Sequence, residues 1–360
     1  MRIPSLAALA LGASTLLALP AAQAEERLQV LASFSILADM VEQVGGERVA
    51  VTALVGPDSD THVYSPSPSD ARALAEADLV VFNGLRFEGW MERLIDASDY
   101  AGPRVTASEG IEPLDLAGHD PAHEGDDHGH GDQEHATHED HDDHGHGDRE
   151  HVAHEDHDDH DHGDQDPHGW QDLSRGAAYV ANIRDGLIEA DPENAAIYRD
   201  NAARYLEALE AADAEIREWL GEIPASTSVI TGHDSFGYFA SAYGLRFLSP
   251  VGLSSEAEPS AADMARLIDV IRDQDVRALF HENMTSPAII EQLAEETGLP
   301  IAGTLYADAL AAEGEASTYL GMMRHNARTL HDALAEPGHD GDGQDEHGHD
   351  HGDHGDGHSH

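Results

Sequence analysis

Between His119 and Asp166 the chain holds almost nothing that can build a core. The segment is His, Asp, Glu and Gly with few exceptions, and Val152 is its one large aliphatic residue. It repeats at a 16-residue interval, His128–His144 reading HGHGDQEHATHEDHDDH and His144–His160 reading HGHGDREHVAHEDHDDH. Such a composition cannot bury enough apolar surface to offset the entropy of ordering. It is therefore expected to be a functional insert, disordered without metal, around which the rest of the chain must fold. A second tract of the same character fills residues 337–360. About half of the formal charge of −52 sits in these two tracts, which excludes nucleic acid as a partner and favours cations.

The remaining sequence reads as two α/β halves. Predicted strands at 28–34, 48–55 and 78–83 alternate with helices at 35–44, 69–76 and 87–97. After the insert come helices at 173–190 and 193–220, broken at Asp191-Pro192, with no strand on either side. The second could run to about 28 residues, ~42 Å at helical rise, and suits a rigid connector. Beyond Pro224 the alternation resumes, with strands at 228–231, 276–280 and 301–305 and helices at 236–243, 259–272, 287–297 and 318–334. The expected fold is α/β: two lobes with mainly parallel sheets. Their limits are 25–190 and 222–336, with 191–221 as the connecting helix. The insert is taken as 119–166.

Residues 1–24 read as a cleavable signal peptide. Arg2 precedes an apolar run at 6–19, and Ala22-Gln23-Ala24 offers a small-residue cleavage site. No other stretch is apolar for long enough to span a bilayer. The mature chain is expected to be soluble, monomeric and periplasmic. The chain has no cysteine, so any metal must be held by imidazole and carboxylate.

Six histidines lie outside the tracts: His62, His168, His233, His281, His325 and His331. His325 and His331 fall within the last predicted helix and read as surface residues. His62 and His233 follow predicted strands, His281 ends one, and Asp308 follows another. Open α/β sheets bind ligands beyond those strand ends. His168 stands apart from the crowd upstream because Pro167, Trp170 and a helix start fix its surroundings. Three imidazoles and one carboxylate would suit Zn2+ in tetrahedral geometry, and imidazole favours zinc over Mn2+. Metal binding would require neutral imidazoles and should weaken below about pH 6.

These residues carry a family resemblance. The segments GPDSDTHVYSPSPSD, DPHGWQD after a His-rich loop, TGHDSFGYFASAYGL and GTLYADAL together resemble the metal-binding subunits of bacterial ABC transporters for zinc and manganese, the cluster A-I (cluster 9) solute-binding proteins. The likeness covers the mature chain except the two tracts. It implies two Rossmann-like lobes joined by a long backbone helix, with one metal in the inter-lobe cleft. It also implies His62, His168, His233 and Asp308 as ligands, and zinc rather than manganese because the third ligand is His. Glu282 is expected to partner a ligand imidazole, and His281 to be structural. The chain departs from many zinc members in lacking a cysteine pair in the C-terminal lobe.

The implied function is capture of Zn2+ for delivery to an ABC-type membrane permease, without enzymatic activity. The His-rich insert and tail are expected to act as weaker, auxiliary zinc collectors. In the insert these are His128, His130, His135, His138, His141, His144, His146, His151, His154, His157, His160 and His162. The alternatives are a periplasmic zinc buffer or chaperone without a transporter, and a secreted zinc hydrolase. Against the hydrolase stand the lack of an HExxH helix and of a placed general base.

Overall fold

The structure is a computed structural model that describes residues 27–114 and 165–335, apart from 226, 254, 256–258 and 275. The signal-peptide and tail readings and the insert up to residue 164 fall outside the described residues, whereas Asp166, taken as the end of a disordered insert, is buried and hydrogen-bonded.

The first half builds a sheet from β1 (Leu28–Phe34), β2 (Val49–Val55), β3 (Leu79–Phe82) and β4 (Arg104–Thr106), all parallel, in the order β2-β1-β3-β4. Helices α1 (Ser35–Gly45), α2 (Pro68–Ala75) and α3 (Met91–Ser98) connect it. The C-terminal half repeats the plan. Strands β5 (Ser228–Ile230), β6 (Arg246–Leu248), β7 (Val276–Glu282) and β8 (Ile301–Leu305) are parallel in the order β6-β5-β7-β8. Their helices are α6 (Gly237–Tyr243), α7 (Ala261–Asp273), α8 (Ala288–Thr297) and α9 (Tyr319–Leu334). Each half therefore reverses direction beside its first strand, which places a crevice beyond the carboxyl ends of the strands. Buried on both faces, β1 and β3 read as near-continuous apolar runs, as parallel strands do.

Between the halves lie α4 (Leu173–Ala190) and the 26-residue α5 (Ala195–Leu220). The break at Asp191 has a local cause: Pro192 cannot donate to the helix, and Asp191 Oδ2 accepts from Tyr198 OH at 2.6 Å. α5 packs against α1, α4 and α9, so it touches both halves. One apolar core runs through the molecule, joining Phe34, Trp170 and Tyr179 to Phe236, Phe280 and Tyr319. A smaller cluster around Leu279, Leu267 and Ile290 lies under α7 and α8.

Two strands escape the sequence pattern. β4 and β6 are three residues each and lie at sheet edges, too short for any periodicity to register. Helix α2 starts as its sequence suggests: Ser67 and Asp70 form a capping box, with Pro68 in the first turn.

Candidate metal centre

Each half sends side chains from the ends of its strands toward one point. His62 lies in the loop after β2. Its N–H donates to Asp60 Oδ1 at 2.9 Å, and its ring stands edge-on to Phe87. His168 precedes a short 3-10 turn, Gly169–Gln171. Its backbone N–H donates to Asp166 Oδ1 at 2.9 Å, and its Nδ1 lies 2.7 Å from the same oxygen. His233 follows β5, its N–H donating to Glu282 Oε1 at 3.0 Å while its Nδ1 is hydrogen-bonded to Glu282 Oε2. Asp308 follows β8. Its neighbour Ala307 accepts from Trp170 Nε1 at 2.9 Å and from Gln171 Nε2 at 2.7 Å, which ties the Asp308 turn to the His168 turn.

The four side chains form a closed cluster. Asp308 Oδ2 lies 3.1 Å from His62 Nε2 and 3.0 Å from His233 Nε2, and Oδ1 lies 3.6 Å from His168 Nε2. One donor atom from each residue falls within 4.8 Å of all the others, and all four residues are buried. His168 Nε2 and Asp308 Oδ1 have no hydrogen-bond partner although fully enclosed. Orphaned buried polar atoms are rare in native proteins, and here both point to the same centre. With Nδ1 of His168 and of His233 held on carboxylates, each Nε2 is left to face that centre.

Charge reinforces the arrangement. Burial lowers the pKa of His168, but Asp308 and Asp166 outweigh it and raise the value above the usual imidazole range. Burial acts the same way on His233, and Glu282 with Asp308 overcomes it more strongly. Asp308 shows the reciprocal effect: burial pushes it up, yet the imidazoles of His168 and His233 hold it well below the carboxylate range. Without metal, the carboxylates favour the protonated form of His168 and His233. With a divalent cation at the centre of the cluster, its four side chains supply three neutral nitrogens and one anionic oxygen.

The remaining histidines lie elsewhere. His281 is half-buried on β7, on the opposite face from Glu282 by strand alternation. His325 departs from the surface reading. It is half-buried, its Nε2 lies 3.1 Å from Thr304 O, and its ring packs edge-on to Tyr306, because α9 lays this face on β8. His331 pairs with Glu222 at 3.0 Å. The collector histidines of the insert lie outside the described residues.

Asp60 and Asp166 are functional neighbours that sequence reasoning passed over. Both stand two residues before a clustered histidine and accept its backbone N–H. Short acidic side chains close this kind of turn on the residue two positions on. The signal was the repeated pattern Asp-x-His, at Asp60-Thr61-His62 and Asp166-Pro167-His168.

Twin parallel-sheet lobes, bridged by a long helix and meeting at a buried His3Asp cluster, define a two-lobed substrate-binding protein built for a metal ion. Residues 30–333 match the family described as zinc-uptake complex component A, periplasmic. The chain belongs to that family, the substrate-binding components of ABC-type metal transporters, which are binding proteins rather than enzymes. Among its relatives is the manganese-binding lipoprotein MntA of Halalkalibacterium halodurans, 30% identical over 313 residues, 86% of this chain and 90% of that one. The iron-binding protein YfeA of Yersinia pestis is 29% identical over 310 residues, 85% of this chain and 86% of its own. Among solved structures, the periplasmic zinc-binding protein TroA of Treponema pallidum aligns with a TM-score of 0.70 at 26% identity. The match covers 86% of this chain and all of TroA. No described helix is long and apolar enough to cross a membrane.

Proposed function

We propose that the chain captures Zn2+ between its lobes through His62, His168, His233 and Asp308 and delivers it to an ABC-type permease. The observation that carries this reading is the donor set: three imidazole nitrogens and one carboxylate, all buried and within 4.8 Å of one another. Zinc takes that set readily, whereas manganese prefers oxygen donors and six-fold coordination. Four protein donors leave no open position of the kind a zinc hydrolase needs. Relatives whose names specify manganese or iron make manganese the second reading, and competition between the two metals at one site separates them.

In the same reading, residues 1–24 are a cleaved signal peptide and the mature chain works as a periplasmic monomer. The lobes are 25–190 and 222–336, with 191–221 between them. The insert and tail collect zinc weakly and raise its concentration beside His168.

The test is metal analysis with competition titration of the wild type and of His168→Ala. The wild type should hold one tight zinc that excess manganese does not displace, and the variant should lose it. Tight zinc retained in His168→Ala would remove the proposed ligand set.

A further inference from the structure

The four clustered side chains are closed off from solvent, with His62 the most accessible at 7%. A metal can reach them only if some of the structure enclosing them opens. Contacts between the lobes are of two kinds. One set is buried: Trp170 and Gln171 bond Ala307 O, Asp39 Oδ2 accepts from Tyr319 N, and the apolar core is continuous. The other set lies toward solvent and centres on the loop that carries His62.

Asp58 is the hub of that second set. Its N–H donates to Leu310 O at 2.9 Å. Its Oδ1 accepts from Asn283 Nδ2 and its Oδ2 from the Ala312 N–H, both at 3.0 Å. Leu310 and Ala312 lie just beyond Asp308 in sequence. Asp58 thus fastens the loop of one clustered residue, His62, to the loop of another, Asp308, across the cleft. Asp60 adds a second tie. Its Oδ1 holds the His62 N–H while its Oδ2 accepts from Ser255 Oγ at 2.5 Å. Asp58 also adopts a left-handed backbone, φ 52°, a conformation that Asp tolerates better than most residues and glycine best of all.

We infer that Asp58, supported by Asn283, is a latch: a positioning residue that holds the His62 loop on the C-terminal lobe and sets how long a bound metal stays. Bonds exposed to water open before buried ones. The latch is thus the first contact to release when the lobes separate, and the buried set remains as the hinge. The inference rests on the metal-binding reading above.

The experiment loads the full chain with one equivalent of Zn2+ and chases it with excess chelator, following the dissociation rate. The variants are Asp58→Gly, which keeps the left-handed backbone, Asp58→Asn, which can accept at only one oxygen, and Asn283→Ala. Ser59→Ala, whose hydroxyl bonds Pro57 O within the same loop, serves as control. Asp58→Gly should release zinc about tenfold faster, with Asp58→Asn and Asn283→Ala in between and Ser59→Ala at the wild-type rate. One tight zinc per chain and the melting temperature of the metal-free protein should be retained. A dissociation rate in Asp58→Gly within twofold of wild type overturns the latch. So does faster release accompanied by an equal loss of metal-free stability, which marks a purely structural contact. A wild type with no tight zinc overturns the metal reading instead, so the two failures are distinguishable.

Discussion

Oδ2 of Asp308 lies 3.1 Å from Nε2 of His62, so the two lobes meet across a single carboxylate. Asp308 is also the one anion among the four clustered side chains, and its other oxygen faces His168. Replacing it by Asn keeps the shape and removes the charge. Losing one partner of a buried charged pair costs about 3–5 kcal/mol. Zinc affinity of Asp308→Asn should therefore fall by about 10²- to 10⁴-fold, read by competition with a chromophoric chelator. A change below tenfold would mean that the carboxylate does not bind the metal.

Affinity should depend on pH well into the neutral range. Zinc needs neutral imidazoles, whereas the metal-free fold raises the pKa of His168 and His233 above the usual imidazole value of 6.5. Protons therefore compete from above pH 6.5, not only below about pH 6 as unperturbed histidines would suggest. The sign for folding follows. In the metal-free protein the raised imidazoles contribute stability that is present below about pH 6.5 and lost as pH rises through their folded values. Asp308, depressed from 3.8, contributes stability present above that value and lost as pH falls through its folded pKa. Thermal melts with and without zinc should show the stabilisation by metal widening from pH 5.5 to pH 8. A gap independent of pH would contradict the three-imidazole cage.

The carboxylates behind the imidazoles should matter almost as much as the ligands themselves. Glu282 holds His233 by both ring and backbone, and Asp166 does the same for His168. Loss of such partners typically lowers metal affinity 10- to 100-fold. Glu282→Ala and Asp166→Ala should each fall in that range while still binding one zinc at saturating metal. Wild-type affinity in both variants would show that the rings are oriented by packing alone.

Much of this centre was legible in sequence because its parts obey strong local rules. Apolar strand runs followed by loops marked where His62, His233 and Asp308 stand, and Pro167 with Trp170 marked His168. Glu282 came from the family resemblance, in which an acidic residue often stands near the site after this strand. What escaped is non-local. Nothing in 306–312 announces that Ala307 O will accept from two side chains of the His168 turn, or that Asp58 will bond Ala312. Edge strands β4 and β6 escaped for a different reason, since three residues carry no period. His325 was misread because its helix face packs on β8, a contact that helical periodicity alone does not report.

Asp39 should be a stability residue rather than a binding one. It lies on α1, yet its Oδ2 accepts from the Tyr319 N–H at the start of α9 in the other half, with Tyr205 OH at 3.4 Å. Burial raises its pKa, opposed by that backbone bond and by Gln43 and Tyr205. Asp39→Ala leaves a buried N–H without its acceptor, at a cost of about 1–3 kcal/mol. Urea unfolding of the metal-free protein should register that loss. Asp39→Asn, which keeps an acceptor oxygen, should lose less. Equal stability of Asp39→Ala and wild type would show that water replaces the carboxylate.

Deleting residues 119–164 should separate collection of metal from capture. The fold gives a reason to expect the shortened chain to close. Leu114 O accepts from the Asp166 N–H at 3.0 Å, so the described chain before the insert and the chain after it already lie side by side. Tyr238 clamps both, its OH accepting from Leu114 N at 3.2 Å and donating to Asp166 O at 3.0 Å. A linker of about four Gly and Ser residues can span such a gap. The clamp sits two residues before His168, so the insert rejoins the described fold beside the cage. The deleted chain should bind fewer zinc ions in total, keep the one tight site with unchanged affinity, and fill it more slowly from dilute zinc. Isothermal titration gives the number and affinity, and stopped-flow loading gives the rate. Loss of the tight site on deletion would mean that the insert supplies a ligand, and that His168 does not complete the cage alone.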